Sequence, residues 1–322
     1  MNLTRRQALQ SAACGFGYLA MAGLNNQAQA AVNPLAAKKP HHSARAKRVI
    51  FLFMAGGPSH VDSFDYKPRL IKDNGKLLEF RDARTLAKTR KVVKHQVMQP
   101  LWKFKQHGKA GLWGSELFPN ISGHLDDMCV IRSMNTEGVA HGPSTLFMHT
   151  GSINLIRPSM GSWISYGLGT ENQNLPGFVT ISPSMGNGGP RNYSNAFLPA
   201  VYQGTAIGRA GVPATQAKIR NLVNRQLSTS EQRRQFDLLQ ALNQEQLKKR
   251  PGDSELEAVI NSYGLAYRMQ NHAPDVLDLS RESKKTLEMY GIGNKKTDNY
   301  GRQCLMASRL CESGVRYIQV HY

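Results

Sequence analysis

Two short segments concentrate the side chains with which chemistry is done. The first, Gly56-Gly57-Pro58-Ser59-His60-Val61-Asp62-Ser63-Phe64-Asp65, sets an imidazole and two carboxylates close behind a pair of glycines. Glycine lets the backbone turn sharply and approach a ligand, and imidazole nitrogen and carboxylate oxygen are donors that bind divalent metals. Asp62 is the first expected metal ligand, with Asp65 and His60 behind it. The alternative is a capped turn in which Ser59 and Asp62 satisfy backbone amides. The second segment is His141-Gly142-Pro143-Ser144-Thr145-Leu146-Phe147-Met148-His149-Thr150-Gly151. Pro143 suits the start of a helix and Thr150-Gly151 its end, so His141 is expected at a helix N-terminus, where exposed amides and the positive end of the dipole seat anions. The alternative is an ordinary two-turn helix with packed or capping histidines.

The elements that must position these residues follow from hydrophobic patterning. Residues 48–54 form a continuous apolar run ended by Ala55-Gly56-Gly57-Pro58, the pattern of a strand buried on both faces of a parallel sheet. Similar runs are expected as strands at 128–133 and 314–320, with a weaker one at 178–181. Ser228-Thr229-Ser230-Glu231 is a capping box opening a helix to about Lys249, with Phe236, Leu239, Leu242 and Leu247 as its apolar stripe. Residues 254–270 and 299–313 are similarly amphipathic. Strands alternating with helices predict an α/β fold with a mainly parallel sheet, whose chemistry sits at the carboxyl ends of the strands. The last strand runs to the end of the sequence, so the chain is expected to be truncated.

Residues 1–30 are expected to be an address. Thr4-Arg5-Arg6-Gln7 precedes an apolar stretch from Ala8 to Leu24 and the small-residue pattern ending at Ala30, the n-, h- and cleavage regions of a secretory signal. The paired arginines resemble a twin-arginine signal, which implies the twin-arginine export machinery and a periplasmic or secreted product. About 17 interrupted apolar residues fall short of the roughly 20 needed to span a bilayer, so no stable membrane anchor is expected. Residues 31–47 are expected to be a flexible linker, and 48–322 the folded domain. Of the cysteines beyond the signal, Cys304 and Cys311 lie two helical turns apart, about 10 Å, too far for a disulfide, so buried thiols are expected.

Composition excludes a disordered or collagen-like chain. Lys and Arg number 41 against 22 acids, a net charge of +19. Residues 31–110 hold 18 of the bases against five acids. A charge concentrated in one stretch, on a chain expected to be exported and without a nucleic-acid-binding motif, argues for no nucleic acid partner and for an anionic one of another kind. Lys88, Arg90, Lys91, Lys94, Lys103, Lys105 and Lys109, with Trp102 and Phe104 interleaved, form the expected basic patch.

Segment 141–151 is similar to the sulfatase signature Cys/Ser-x-Pro-Ser-Arg-x-x-x-Leu-Thr-Gly, with Pro143, Ser144, Thr150 and Gly151 in register. His141 stands where sulfatases carry the residue converted to formylglycine, and Thr145 replaces the arginine. Nearly the whole chain resembles the domain-of-unknown-function family 1501 of exported proteins. That likeness rests on the twin-arginine start and residues 51–68, 129–151, 263–270, 278–283 and 303–320. The resemblance implies an alkaline-phosphatase/sulfatase-like three-layer sandwich lacking its C-terminal part, since family members continue into further metal-bearing segments. It also implies a metal-assisted hydrolase using a divalent metal ion, with a sulfate or phosphate ester as substrate. In that setting His141 is expected at the nucleophile position or as an acid–base residue, with Ser144 and Thr145 as oxyanion contacts. The alternative function is a non-catalytic exported protein that binds a sulfated or phosphorylated glycan on the same fold.

Overall fold

The computed structural model describes residues 34–81, 89, 90, 92–220, 222, 224, 226–251 and 253–322. The expected signal, and Lys88 and Lys91 of the expected basic patch, lie outside the described residues. The chain runs through β1 (Val49–Phe53), α1 (Pro68–Lys72), β2 (Leu77–Phe80), β3 (Val93–Gln96), β4 (Phe104–His107), β5 (Leu112–Ser115) and α2 (Pro119–Ser122). It continues through α3 (His141–Thr150), α4 (Met160–Leu168), β6 (Phe178–Ile181), β7 (Thr205–Ile207), α5 (Thr229–Lys249), α6 (Ser254–Leu277), α7 (Lys284–Met289), α8 (Asp298–Glu312) and β8 (Tyr317–His321). It divides into two units, one of residues up to Phe53 with His149–Tyr322, the other Met54–Met148.

The first unit is built on a four-stranded, all-parallel sheet of order β1-β8-β6-β7. Successive strand residues face opposite sides, and the two sides differ in chemistry. On one side Ile318 and Val320 of β8, Val179 and Ile181 of β6 and Ile207 of β7 pack with Ala273 of α6 and Met306, Ala307 and Leu310 of α8 in a continuous apolar core. On the other, Tyr317, Gln319, His321, Phe178 and Thr180 are all buried, and α4 approaches closely enough that a Cβ on Gly161 would lie 2.7 Å from the Phe178 ring. Helices thus pack against both faces, as strand–helix alternation predicts.

Three of the expected strands form. The run at 48–54 becomes β1, but as an edge of the described sheet: it pairs with β8 alone, and Val49 and Leu52 are 43% and 50% exposed. With Val49, Ile50 and Leu52 all exposed, the expectation of burial on both faces fails. The expected strand at 128–133 is irregular, with Ile131 62% exposed; an extended segment becomes a strand only when another chain segment takes its backbone groups. The capping-box helix forms as expected: Ser228 Oγ accepts from the Glu231 amide, and the Glu231 carboxylate accepts from the Ser228 amide at 2.8 Å.

Part of the expected linker is docked. Leu35 is buried with Leu198, Val201, Tyr202 and Ala258, and Tyr202 Oη donates to the Pro34 carbonyl at 3.0 Å. The Thr170 amide donates to Leu35 O and the Lys38 amide to Leu168 O. Among the described residues the cysteines are free thiols, with Cys129 exposed and Cys304 and Cys311 half-buried, so the expected burial is only partial. Desolvation pushes the Cys304 thiol up.

The second unit carries two antiparallel hairpins, β2–β3 and β4–β5. Tyr66 packs against Phe104 and Trp113, with ring centroids 5.2 and 4.3 Å away. Phe104 therefore serves this small core, which removes it from the expected basic patch.

Candidate functional site

Gly56 and Gly57, with φ of 85° and 74°, hold the left-handed conformation that the turn after β1 requires, and the Gly57 amide donates to Met54 O. A 3₁₀ turn over His60–Asp62 follows. Its side chains are organised mainly by the backbone around them. Asp62 is buried, one carboxylate oxygen accepting from Ser59 Oγ at 2.7 Å and the other from the Leu101 amide at 3.2 Å. Its carbonyl accepts from Ser115 Oγ, which ties the turn to β5. The first expected metal ligand thus performs the work of the capped-turn alternative. Asp65, also buried, makes an ion pair with Lys67 at 3.0 Å, and His60 Nε2 lies 3.9 Å from its other oxygen. His60 itself is largely exposed. Of the three expected ligands, His60 and Asp65 turn toward each other while Asp62 turns to the backbone. Among the described residues no group of three His, Cys, Asp or Glu is assembled as a metal site.

The helix predicted from the second segment is α3, and His141 is its exposed first residue. Ser144 Oγ donates to Gly138 O at 2.8 Å and the Ser144 amide to Ala140 O, which folds the preceding loop back onto the helix. A Cβ on Gly138 would collide with Ser144. The Ser144 proton is therefore committed to the loop, and Thr145 is buried. His141 is the member of this trio that faces solvent with its ring.

One cluster escaped the sequence reading. His149 closes α3 and His321 ends β8; both are buried, and their rings lie parallel within 7° with centroids 5.3 Å apart. Phe53, at the end of β1, presents its ring to both, 4.5 Å from His149 and 5.7 Å from His321. The Gln319 side-chain amide nitrogen is hydrogen-bonded to His321 Nε2. Burial, and after it the neighbouring His149, pushes the His321 imidazole down to about 3. The cluster is a pair of buried imidazoles at the carboxyl ends of adjacent parallel strands, where α/β sheets hold their ligands. The available signal was Tyr317-Ile318-Gln319-Val320-His321, whose polar residues alternate with apolar ones and so share one face.

No curated protein and no solved structure matches the chain. A family model does, the one described as "Protein of unknown function (DUF1501)", over residues 46–322. Because that match takes in every strand and helix described above, the chain belongs to the DUF1501 family.

Proposed function

We propose that the protein is an exported, metal-assisted hydrolase of sulfate or phosphate esters, its parallel sheet being part of an alkaline-phosphatase/sulfatase-like sandwich. The observation that carries this reading is the approach of His60 to Asp65 on a glycine-led turn directly after a strand of a parallel sheet. An imidazole nitrogen and a carboxylate fit a divalent cation as a partial ligand set, and they are the residues that would hold it. When bound, such an ion polarises the ester oxygen and neutralises charge developing on phosphorus or sulfur.

The remaining work falls to α3. Its N-terminal amides and dipole favour an anionic group, and the exposed His141 imidazole stands beside them as the acid–base group. Ser144 holds the 138–144 loop in place, so its part is positioning. The paired arginines at 5 and 6 and the Ala30 cleavage pattern support export by the twin-arginine route to the periplasm or beyond. The test is turnover of an aryl phosphate and an aryl sulfate with Zn²⁺, Mn²⁺ or Mg²⁺, with and without a chelator. The reading expects chelation to abolish turnover and His141→Ala to lower it by about 100-fold or more. Turnover indifferent to both changes, or none on either ester class, would overturn it.

The second reading, an exported binder of sulfated or phosphorylated glycan, is favoured by Lys94, Lys103, Lys105 and Lys109, all exposed on or beside the hairpin strands β3 and β4. Retention on a sulfated-glycan column that is lost at moderate salt but survives chelation would select it.

A further inference from the structure

The hairpin β2–β3 stands alone in its unit. Its register sets Leu78 opposite His95 and Phe80 opposite Val93 on one face, and Leu77 opposite Gln96 and Glu79 opposite Lys94 on the other. The Gly75 amide donates to Val97 O and the Val97 amide to Lys76 O, which carries the ribbon one step further at its base. Among the described residues of the unit, no other helix or strand packs closely on either strand. All of β2 is exposed, Leu77 by 68%, Leu78 by 44% and Phe80 by 56%. A two-stranded ribbon is marginal in water by itself, and three large apolar side chains left open on so short a strand mark a surface that another body covers.

The charge beside the ribbon narrows what that body is. The residues joining the two strands, 81–92, hold five Lys and Arg against one acid, Asp82. Of the other acids on or next to the ribbon, Asp73 is held by Arg69 and Lys76, and Glu79 stands across from Lys94. Arg81 and Arg90 are exposed. A surplus of positive charge therefore lies next to the open apolar side chains, and its complement is an anionic surface.

The placement of the apolar residues separates a lipid surface from a protein or a glycan. Leu77 lies on one face of the ribbon, Leu78 and Phe80 on the other. A docked protein covers one face of a strand pair and leaves the opposite one wet, whereas a lipid interface surrounds what enters it. A sulfated glycan meets the charge but gains little from buried leucine. β2 and β3 form a sheet of two strands only, so each has an outer edge of unpaired backbone groups. Those edges hold the ribbon at the depth of the headgroups and out of the hydrocarbon. Apolar side chains at that depth beside Lys and Arg make a reversible dock on an anionic bilayer, which is different from a spanning anchor.

We propose that the β2–β3 ribbon docks on the surface of an anionic phospholipid bilayer, with Leu77, Leu78 and Phe80 entering the headgroup region and Arg81 and Arg90 against the lipid phosphates. Leu77→Trp and Phe80→Trp, made separately in the full chain, test it by the difference in fluorescence from the parent as vesicles are added. An apolar stretch such as 8–24 enters bilayers by itself, so the readout is kept local to the ribbon. With vesicles of equal parts phosphatidylglycerol and phosphatidylcholine both tryptophans should shift to shorter wavelength, and with phosphatidylcholine alone neither should. In the Phe80→Trp background, Arg81→Gln with Arg90→Gln should raise the lipid concentration at half-shift by about 30-fold, because each base near the surface adds its own attraction. Leu78→Ser should raise it by about tenfold, the loss of one buried apolar side chain. Far-UV circular dichroism of each variant must match the parent, which separates lost docking from lost folding. No shift on the anionic vesicles overturns the proposal. So does an equal shift on both lipid compositions, or one indifferent to the arginine and leucine changes. A shift at only one of the two positions also overturns it, because a cover on a single face is that of a protein.

Discussion

The imidazole of His321 stacks parallel on that of His149, 5.3 Å between centroids, and Gln319 is hydrogen-bonded to its Nε2. A basic ring held out of water is favoured in its neutral form, so the burial of His321 ties the stability of the sheet's carboxyl end to pH. The two stacked rings come from different elements, the end of α3 and the end of β8, and meet because β8 lies beside β1 in the sheet.

Acid should therefore destabilise the fold in a defined window. With the His321 imidazole held down at about 3, the unfolded chain takes up a proton below about pH 6.5 that the folded chain refuses. Stability from this group is complete above about 6.5 and is lost progressively as the pH falls towards 3. Between pH 7 and 4.5 the loss is about 2.5 kcal/mol. Urea unfolding of the parent and of His321→Leu at both pH values measures it. Parallel losses in the two proteins would refute the assignment.

The Phe178 ring is gripped from two sides. A Cβ on Gly161 or on Gly204 would lie 2.7 Å from it, and the ring is 2% exposed. Gly161→Ala and Gly204→Ala should each cost about 1–3 kcal/mol by overpacking. At Gly161 the better helix propensity of alanine, about 1 kcal/mol, offsets part of the loss. Denaturant midpoints decide, and unchanged midpoints would show that the α4–β6 contact yields freely.

Leu35 is a second anchor for the first unit. Leu35→Ala should cost about 2–4 kcal/mol if its buried contacts contribute as core contacts do. Limited proteolysis in the exposed residues 41–47 should then become faster in the variant. Equal cleavage rates and equal stability would mean that the docking contributes nothing.

Lys67 competes for the carboxylate that the proposed metal needs. Its ammonium sits 3.0 Å from Asp65. Replacing it as Lys67→Met should raise Zn²⁺ affinity by about tenfold in titration calorimetry, and Asp65→Asn should remove the binding. Binding untouched by either substitution would locate the ion elsewhere.

Local chemistry was legible in the sequence. The capping box at Ser228 and Glu231, the helix opened by His141, and the apolar runs that became β1, β6 and β8 all depend on residues near one another in the chain. The turn after β1 was legible too, because only glycine suits its two left-handed positions. Membership of a strand is another matter. Residues 48–54 and 128–133 carry the same apolar signal, yet one pairs with β8 and the other has exposed side chains and no strand. Strand pairing depends on which distant segment supplies hydrogen-bond partners, and no local pattern contains that information.

The same reason explains the candidate site. Residue types singled out His60, Asp62 and Asp65 as a group, but a carboxylate's partner is settled by what folds against it. For Asp62 that is the amide of Leu101, contributed by a segment some forty residues away. The His149–His321 pair and the exposure of Leu77 and Phe80 exist only in three dimensions. By itself the sequence determined periodicity, turns, caps and charge, all set within a few residues; the tertiary structure decided which buried groups meet and which apolar faces stay open.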